Sequence, residues 1–237
     1  MSDEVVLPAE ACHPLPNNIG LDIGALVEPL SVAWHAVDAS SIAEYEGKAQ
    51  GPNCLVLGGG PIGLAVCQVL QARGANKVIM SEVSAKRQSF ARQLGASNVM
   101  DPRQFDIVAA TQQLCDGAGA DIVFDCAGVP QSLETACKAV RARGSIVNVA
   151  IWEDKVPFDP NWLVFREARY SAVLGYQRKD YEGVIQALAD GRLKPEKMIT
   201  ARIGLEDLIE EGYGALQGEK EKHVKVLIDM SVGASVS

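Results

Sequence analysis

The stretch that decides the fold is Cys54-Leu55-Val56-Leu57-Gly58-Gly59-Gly60-Pro61-Ile62-Gly63. A short apolar run enters G-x-G-x-x-G, and a helical pattern opens on the last glycine. Ile62, Ala65, Val66, Val69 and Leu70 recur at helical spacing, and Gly74 ends the run. A second apolar strand follows at 77–80, with the acidic residue Glu82 just beyond it. A lone glycine triplet marks a turn. Strand, glycine loop, helix, strand and acid together are the context of a dinucleotide fingerprint.

Each glycine has its own task in that reading. Gly58 permits the tight turn, Gly60 lets backbone approach a pyrophosphate, and Gly63 lets helix pack on strand. Pro61 and Ile62 complete the loop, and the pyrophosphate is expected on the N–H groups at the helix start. A carboxylate at Glu82 accepts ribose hydroxyls and repels a 2′-phosphate, so NAD is expected over NADP. Arg87, in the following helix, is expected along the same ribose, or on a 2′-phosphate if Glu82 turns aside.

Outward from this unit the alternation continues. Phe90, Ala91 and Leu94 mark a helix stopped at Gly95, and 98–100 reads as a strand. Ile107, Thr111 and Leu114 mark a helix, and 122–124 a buried strand. Pro130 opens a helix carrying Leu133, Ala136, Cys137 and Val140 on one face, and Gly144 precedes a strand at 146–149. Further on, 169–175 reads as a strand, while Tyr181, Val184, Ile185 and Leu188 form a helix stripe. Leu205, Leu208, Ile209, Gly212 and Leu216 give another helix, and Val224, Val226 and Ile228 a terminal strand. A frayed tail is expected at 231–237. The fold class is α/β, a Rossmann-type doubly wound parallel sheet, whose ligands bind at the carboxyl ends of the strands.

The chain has 237 residues, 48% apolar, and a formal net charge of −8. The negative charge without a basic cluster argues against a nucleic-acid partner. No apolar run is long enough to span a membrane, and the first residues do not read as a signal peptide. The six cysteines form no C-x-x-C and sit mostly in apolar patterns, so they read as reduced, in a cytoplasmic protein.

Several stretches resemble the medium-chain dehydrogenase/reductase superfamily, in particular the zinc-type polyol branch with butanediol and sorbitol dehydrogenases. They are 25–37 (ALVEPLSVAWHAV), 58–63, 123–128 (VFDCAG), 147–152 (VNVAIW) and 222–228 (KHVKVLI). The resemblance implies hydride transfer between a secondary alcohol or diol and NAD. It implies that Val32 packs on nicotinamide, that Cys126 and Ala127 flank adenine, and that Val149, Ala150 and Ile151 hold the carboxamide.

Family members carry an N-terminal GroES-like domain with the cysteine and His-Glu pair that bind catalytic zinc. Matching residues are not found in this sequence. The resemblance therefore implies a truncated chain, with remnants of the GroES-like domain at the two termini. The expected divisions are a remnant at 1–21, an NAD-binding Rossmann domain at 22–178, and C-terminal helices with a terminal strand at 179–237. Zinc is expected for the family, but here only Glu28 would face its site, and His35 reads as structural. The alternative is a non-catalytic dinucleotide-binding protein. Apolar surface at 19–37 and on the terminal strand is expected to be uncovered, and strand 169–175 resembles the family's pairing edge, so a homodimer is expected. An S-adenosylmethionine fold also pairs a glycine loop with an acid, but Gly63 and the stretches quoted count against it.

Overall fold

The computed structural model describes residues 4–219 and 221–230. In chain order the helices are α1 (Leu21–Gly24), α2 (Val27–Asp38), α3 (Pro61–Ala72), α4 (Ala85–Gln93), α5 (Ile107–Leu114), α6 (Pro130–Ala139), α7 (Asn161–Val164), α8 (Arg178–Ala189) and α9 (Ala215–Gly218). The strands are β1 (Asn53–Leu57), β2 (Lys77–Ser81), β3 (Asn98–Met100), β4 (Ala120–Asp125), β5 (Val140–Asn148), β6 (Arg169–Ala172), β7 (Ile199–Gly204) and β8 (Lys225–Asp229).

Six strands form one sheet in the order β3-β2-β1-β4-β5-β6, every pairing parallel. The order reverses between β1 and β4, which opens a crevice at their carboxyl ends. Each strand reads as a continuous apolar run, yet its side chains divide by period two. Cys54, Val56, Val78, Met80, Ile122, Phe124 and Val147 join the core formed with α2, α3 and α8. Leu55, Leu57, Ile79, Val123 and Ile146 join the opposite core, with Ile107, Leu133, Ala136 and Cys137. Burying one such large apolar side chain contributes ~1.5–3 kcal/mol. With helices on both faces, the sheet is the doubly wound class expected.

Local chemistry sets the helix boundaries. Gly60 is the N-cap of α3 and Pro61 its first residue, two positions before Gly63, on which the sequence opens the helix. Proline fits there because a first-turn N–H has no intrahelical partner to lose. Gly74 follows α3 in the left-handed region at φ +79°. Ser84 and Asp106 cap α4 and α5 by accepting from Arg87 N–H and Ala109 N–H.

Several boundaries differ from the sequence reading. Val140 fits the helix stripe of α6, but the chain turns extended there and Val140 begins β5. Gly144 lies inside β5, where the pairing shifts between Ala120↔Val140 and Ile122↔Ser145. A Cβ at Gly144 would lie 2.9 Å from Asp121 O, so glycine suits this irregularity. The edge strand β6 ends at Ala172 rather than running to 175.

The helix expected across Leu205 to Leu216 is a π-helix, Leu208–Gly214, followed by the short α9. Gly212 and Gly214 interrupt it, and glycine weakens a regular α-helix. β7 was not foreseen and pairs with β8 in a separate two-stranded sheet. The apolar residues of 19–37 are mostly covered, contrary to expectation. Leu26, Val27, Leu30, Ala33 and Val37 are buried where α2 packs on α3 and α8, while Leu21 stands exposed. The terminal strand is half-buried. The tail at 231–237 lies outside the described residues.

Candidate active site

The glycine loop leaves β1 with Gly58 at φ +94°, a conformation that favours glycine. Gly58 N–H donates to Ser81 O at 2.9 Å, tying the turn to β2. A Cβ at Gly63 would lie 1.9 Å from Gly58 O, so the first turn of α3 can rest on the loop only without a side chain. A Cβ at Gly60 would meet nothing within 4 Å, so the loop is open on the side facing the crevice. The first turn of α3 thus presents backbone N–H groups and the positive dipole end toward that opening, as an anion requires.

Glu82 lies directly beyond β2 and is buried. Its carboxylate accepts from Gly59 N–H at 2.6 Å and from Ser84 N–H at 2.7 Å. A Cβ at Gly59 would come within 3.0 Å of this side chain, so the middle glycine is required as well. Glu82 therefore braces the glycine loop from behind, a structural task its spacing alone did not reveal.

Two cavities flank the loop. The first, about 410 Å³, is lined by Gly58, Gly60, Glu82, Arg87, Cys126 and Ala127, among others. The second, about 380 Å³, is lined by Val32, Ile62, Cys126, Val149, Ala150 and Ile151, with Val173 to Gly175 closing one side. Cys126 borders both. The fold thus gathers these expected residues at the carboxyl edge of the sheet. Pro61 and Gly63 lie in the first turn of α3 and line neither cavity. Glu28 is exposed in the first turn of α2 and also lines neither.

Sequence reasoning overlooked Asp125. It ends β4 fully buried, and its carboxylate accepts from Ala127 N–H, Gly128 N–H and Ser132 Oγ. Burial pushes its carboxyl above the usual range, and those three donors act in the opposite direction. The available signal was an acid ending an otherwise apolar strand. Ser132 and Thr135, which also line the first cavity, gave none.

The remaining candidates are structural or inert. His35 Nδ1 lies 2.9 Å from Asp180 Oδ2, joining α2 to α8. Burial pushes the Cys126 thiol far above its ordinary value, which disfavours the thiolate. His13 stacks on Tyr181 at 4.6 Å between ring centres. Among the described residues, no three His, Cys, Asp or Glu side chains converge as a zinc site needs. The described residues do not fit that metal, and no chemical step is assigned to it. Dinucleotide phosphates, by contrast, fit the loop that Gly60 leaves open.

Comparison with known proteins agrees with this geometry. A family profile described as zinc-binding dehydrogenase matches residues 61–190. The (R,R)-butanediol dehydrogenase of Saccharomyces cerevisiae is 36% identical over 236 residues, covering 96% of this chain and 59% of the relative. The crystal structure of 2R,3R-butanediol dehydrogenase from Bacillus subtilis superposes with a TM-score of 0.82 at 37% identity, covering 90% of this chain and 59% of that one. A zinc-binding dehydrogenase structure from Sinorhizobium meliloti 1021 with bound NADP gives 0.78 at 29% identity, covering 90% and 61%. The chain thus spans about three fifths of the length of these relatives. The profile takes up the chain at the first turn of α3, the sequence and fold matches extend over nearly all of it, and the chain belongs to the zinc-binding dehydrogenase family.

Proposed function

We propose that this chain forms the nucleotide-binding part of an alcohol or polyol oxidoreductase, with NAD as cofactor and a secondary alcohol or diol as substrate. The observation that carries the reading is the loop of Gly58, Gly60 and Gly63, open between two cavities that meet at Cys126. Bound nicotinamide would supply hydride acceptance or donation.

The chain's own residues bind and orient. The first turn of α3 holds phosphate charge. The apolar wall of Val32, Val149, Ala150 and Ile151 excludes water from the nicotinamide face. The Glu82 carboxylate beside the first cavity favours two free ribose hydroxyls over a 2′-phosphate. Arg87 on the same wall lies along the ribose. An edge-to-edge homodimer through β6, whose strand is largely exposed, accompanies this reading. So does a cytoplasmic setting, supported by six unpaired cysteines.

Calorimetric titration with NAD and with NADP tests the assignment. NAD is expected to bind more tightly, and Glu82→Gln to narrow the difference. Tighter NADP binding would overturn the cofactor preference, and binding of neither would overturn the site. Turnover of butane-2,3-diol restored by added zinc or a separate N-terminal chain would favour the oxidoreductase reading, and NAD binding without turnover under any of these conditions the non-catalytic alternative.

A further inference from the structure

Asp125 stands where the two cavities join. Its backbone carbonyl accepts from Val149 N–H at 2.9 Å and Ala150 N–H at 3.1 Å, fixing the wall of the second cavity. Its carboxylate Oδ1 accepts from Ala127 N–H at 3.0 Å and Gly128 N–H at 3.1 Å, folding the next loop back on itself. Oδ2 accepts from Ser132 Oγ at 3.0 Å, in the first turn of α6. The loop so held carries Cys126, which lines both cavities, and Ala127 and Val129, which line the first.

We propose that Asp125 is a positioning residue for dinucleotide binding. Through Ala127, Gly128 and Ser132 its carboxyl group sets the loop that is the common wall of both cavities. The inference rests on the cofactor reading above and deepens it.

Two observations sharpen the assignment. Gly128 is left-handed at φ +64°, a conformation the chain adopts here with its N–H captured by Asp125. A Cβ at Gly58 would come within 3.1 Å of Ala127 N, so the loop that Asp125 holds lies against the phosphate-binding turn itself. Loosening this loop therefore disturbs the glycine turn and both cavities together.

The hydrogen-bond chemistry separates two variants. Asp125→Asn keeps an amide oxygen for the two N–H groups. Its amide nitrogen donates to Ser132 Oγ, whose hydroxyl then donates to Val129 O, already 2.8 Å away. Asp125→Ala leaves two backbone donors without their partner.

The test compares wild type, Asp125→Asn and Asp125→Ala by NAD titration and by amide hydrogen exchange at Ala127 and Gly128. Expected is a loss of NAD affinity of about tenfold in the alanine variant, the scale of one lost hydrogen bond to a charged group. Exchange should accelerate at those two amides, and the asparagine variant should restore both readouts to near wild type. Equal affinity and exchange in all three proteins would overturn the proposal. So would equal losses in both variants, since that would make charge rather than hydrogen-bond geometry decisive.

If Asp125→Ala does not fold, Ser132→Ala removes one donor and should weaken NAD binding by a smaller factor. No change in that variant would again overturn the proposal. If wild type binds neither NAD nor NADP, the cofactor reading fails and the affinity claim with it. Exchange in the asparagine and alanine variants still decides whether Asp125 orders the loop.

Discussion

Two parts of the molecule bury their apolar residues very differently. In the unit β1–α3–β2 the strands are covered on both faces, and eight of the twelve residues of α3 are buried, from Gly63 to Leu70. In the segment from β7 through the π-helix to β8, Leu205, Ile209, Tyr213 and Leu216 face outward and β8 is only half-covered. The first unit is fixed by close packing, with almost no room to shift. The second is a two-stranded ribbon with one glycine-interrupted helical segment, in which few side chains are constrained. The difference predicts where substitutions are felt and where they are not.

The largest effect is expected at Gly63. A methyl group there would overlap Gly58 O at 1.9 Å, and a carbonyl in the phosphate turn cannot move without moving the turn. Gly63→Ala should cost about 3 kcal/mol, the upper range for overpacking, and should abolish measurable NAD binding. Thermal denaturation and titration together check it. A variant with near wild-type stability would show that α3 slides on β1 and that this unit is looser than described.

An intermediate, pH-dependent effect is expected at the opposite end of the same sheet. Asp121 starts under a burial penalty that raises its carboxyl. Tyr45 OH, the Arg141 guanidinium and Asn53 N–H outweigh that penalty and hold it below the usual carboxylate range. A carboxyl with a folded value below its unfolded one stabilises the fold above the unfolded value. That stability is lost as pH falls through the folded value. The advantage of wild type over Asp121→Asn should therefore be constant near neutrality and shrink below about pH 4. Denaturant titrations from neutral pH downward measure it. A gap that instead widened on acidification would mean that Asp121 is not held low.

The same contrast explains how much the sequence disclosed. In the six-stranded sheet and its helices, apolar runs and punctuating glycines give nearly the full account. The strand at Asn98–Met100 and the helices at Ile107–Leu114 and Pro130–Ala139 follow from periodicity, capping and proline position. Val140 is the instructive error there, because its spacing from Leu133 fits a helix while its backbone is already extended. Whether an apolar side chain continues a helix or begins a strand depends on its neighbours in space, which spacing does not record.

The site shows a similar limit. Eleven expected cofactor residues line the two cavities, because the fingerprint and the strand ends place them. Glu82's hold on Gly59 stayed hidden because it joins segments 23 residues apart, and Asp125's hold on the next loop because a local turn carries no periodicity. In the ribbon, Ile199, Thr200, Ala201, Arg202 and Ile203 alternate apolar and polar, so the signal for β7 was present and went unread. What spacing does not record is its parallel pairing with β8, which lies about twenty residues further on.

The smallest effect is expected at Ile209. Its side chain is 69% exposed on the π-helix, beside the acidic residue Glu210, and its neighbours Leu205 and Tyr213 are exposed too. Ile209→Ser removes apolar area that already faces water in the isolated chain, so stability should change by no more than about 0.5 kcal/mol and NAD affinity should not change. The substitution is informative because it tests isolation as well as packing. Thermal denaturation of both proteins over a range of concentrations distinguishes the two. A melting temperature that falls on substitution only at high concentration would mean that another copy of the chain covers this face. The contrast between the rigid sheet and the open ribbon would then belong to the monomer and not to the assembled protein. A fall independent of concentration would mean that Ile209 packs within its own chain, and the ribbon would be as constrained as the sheet.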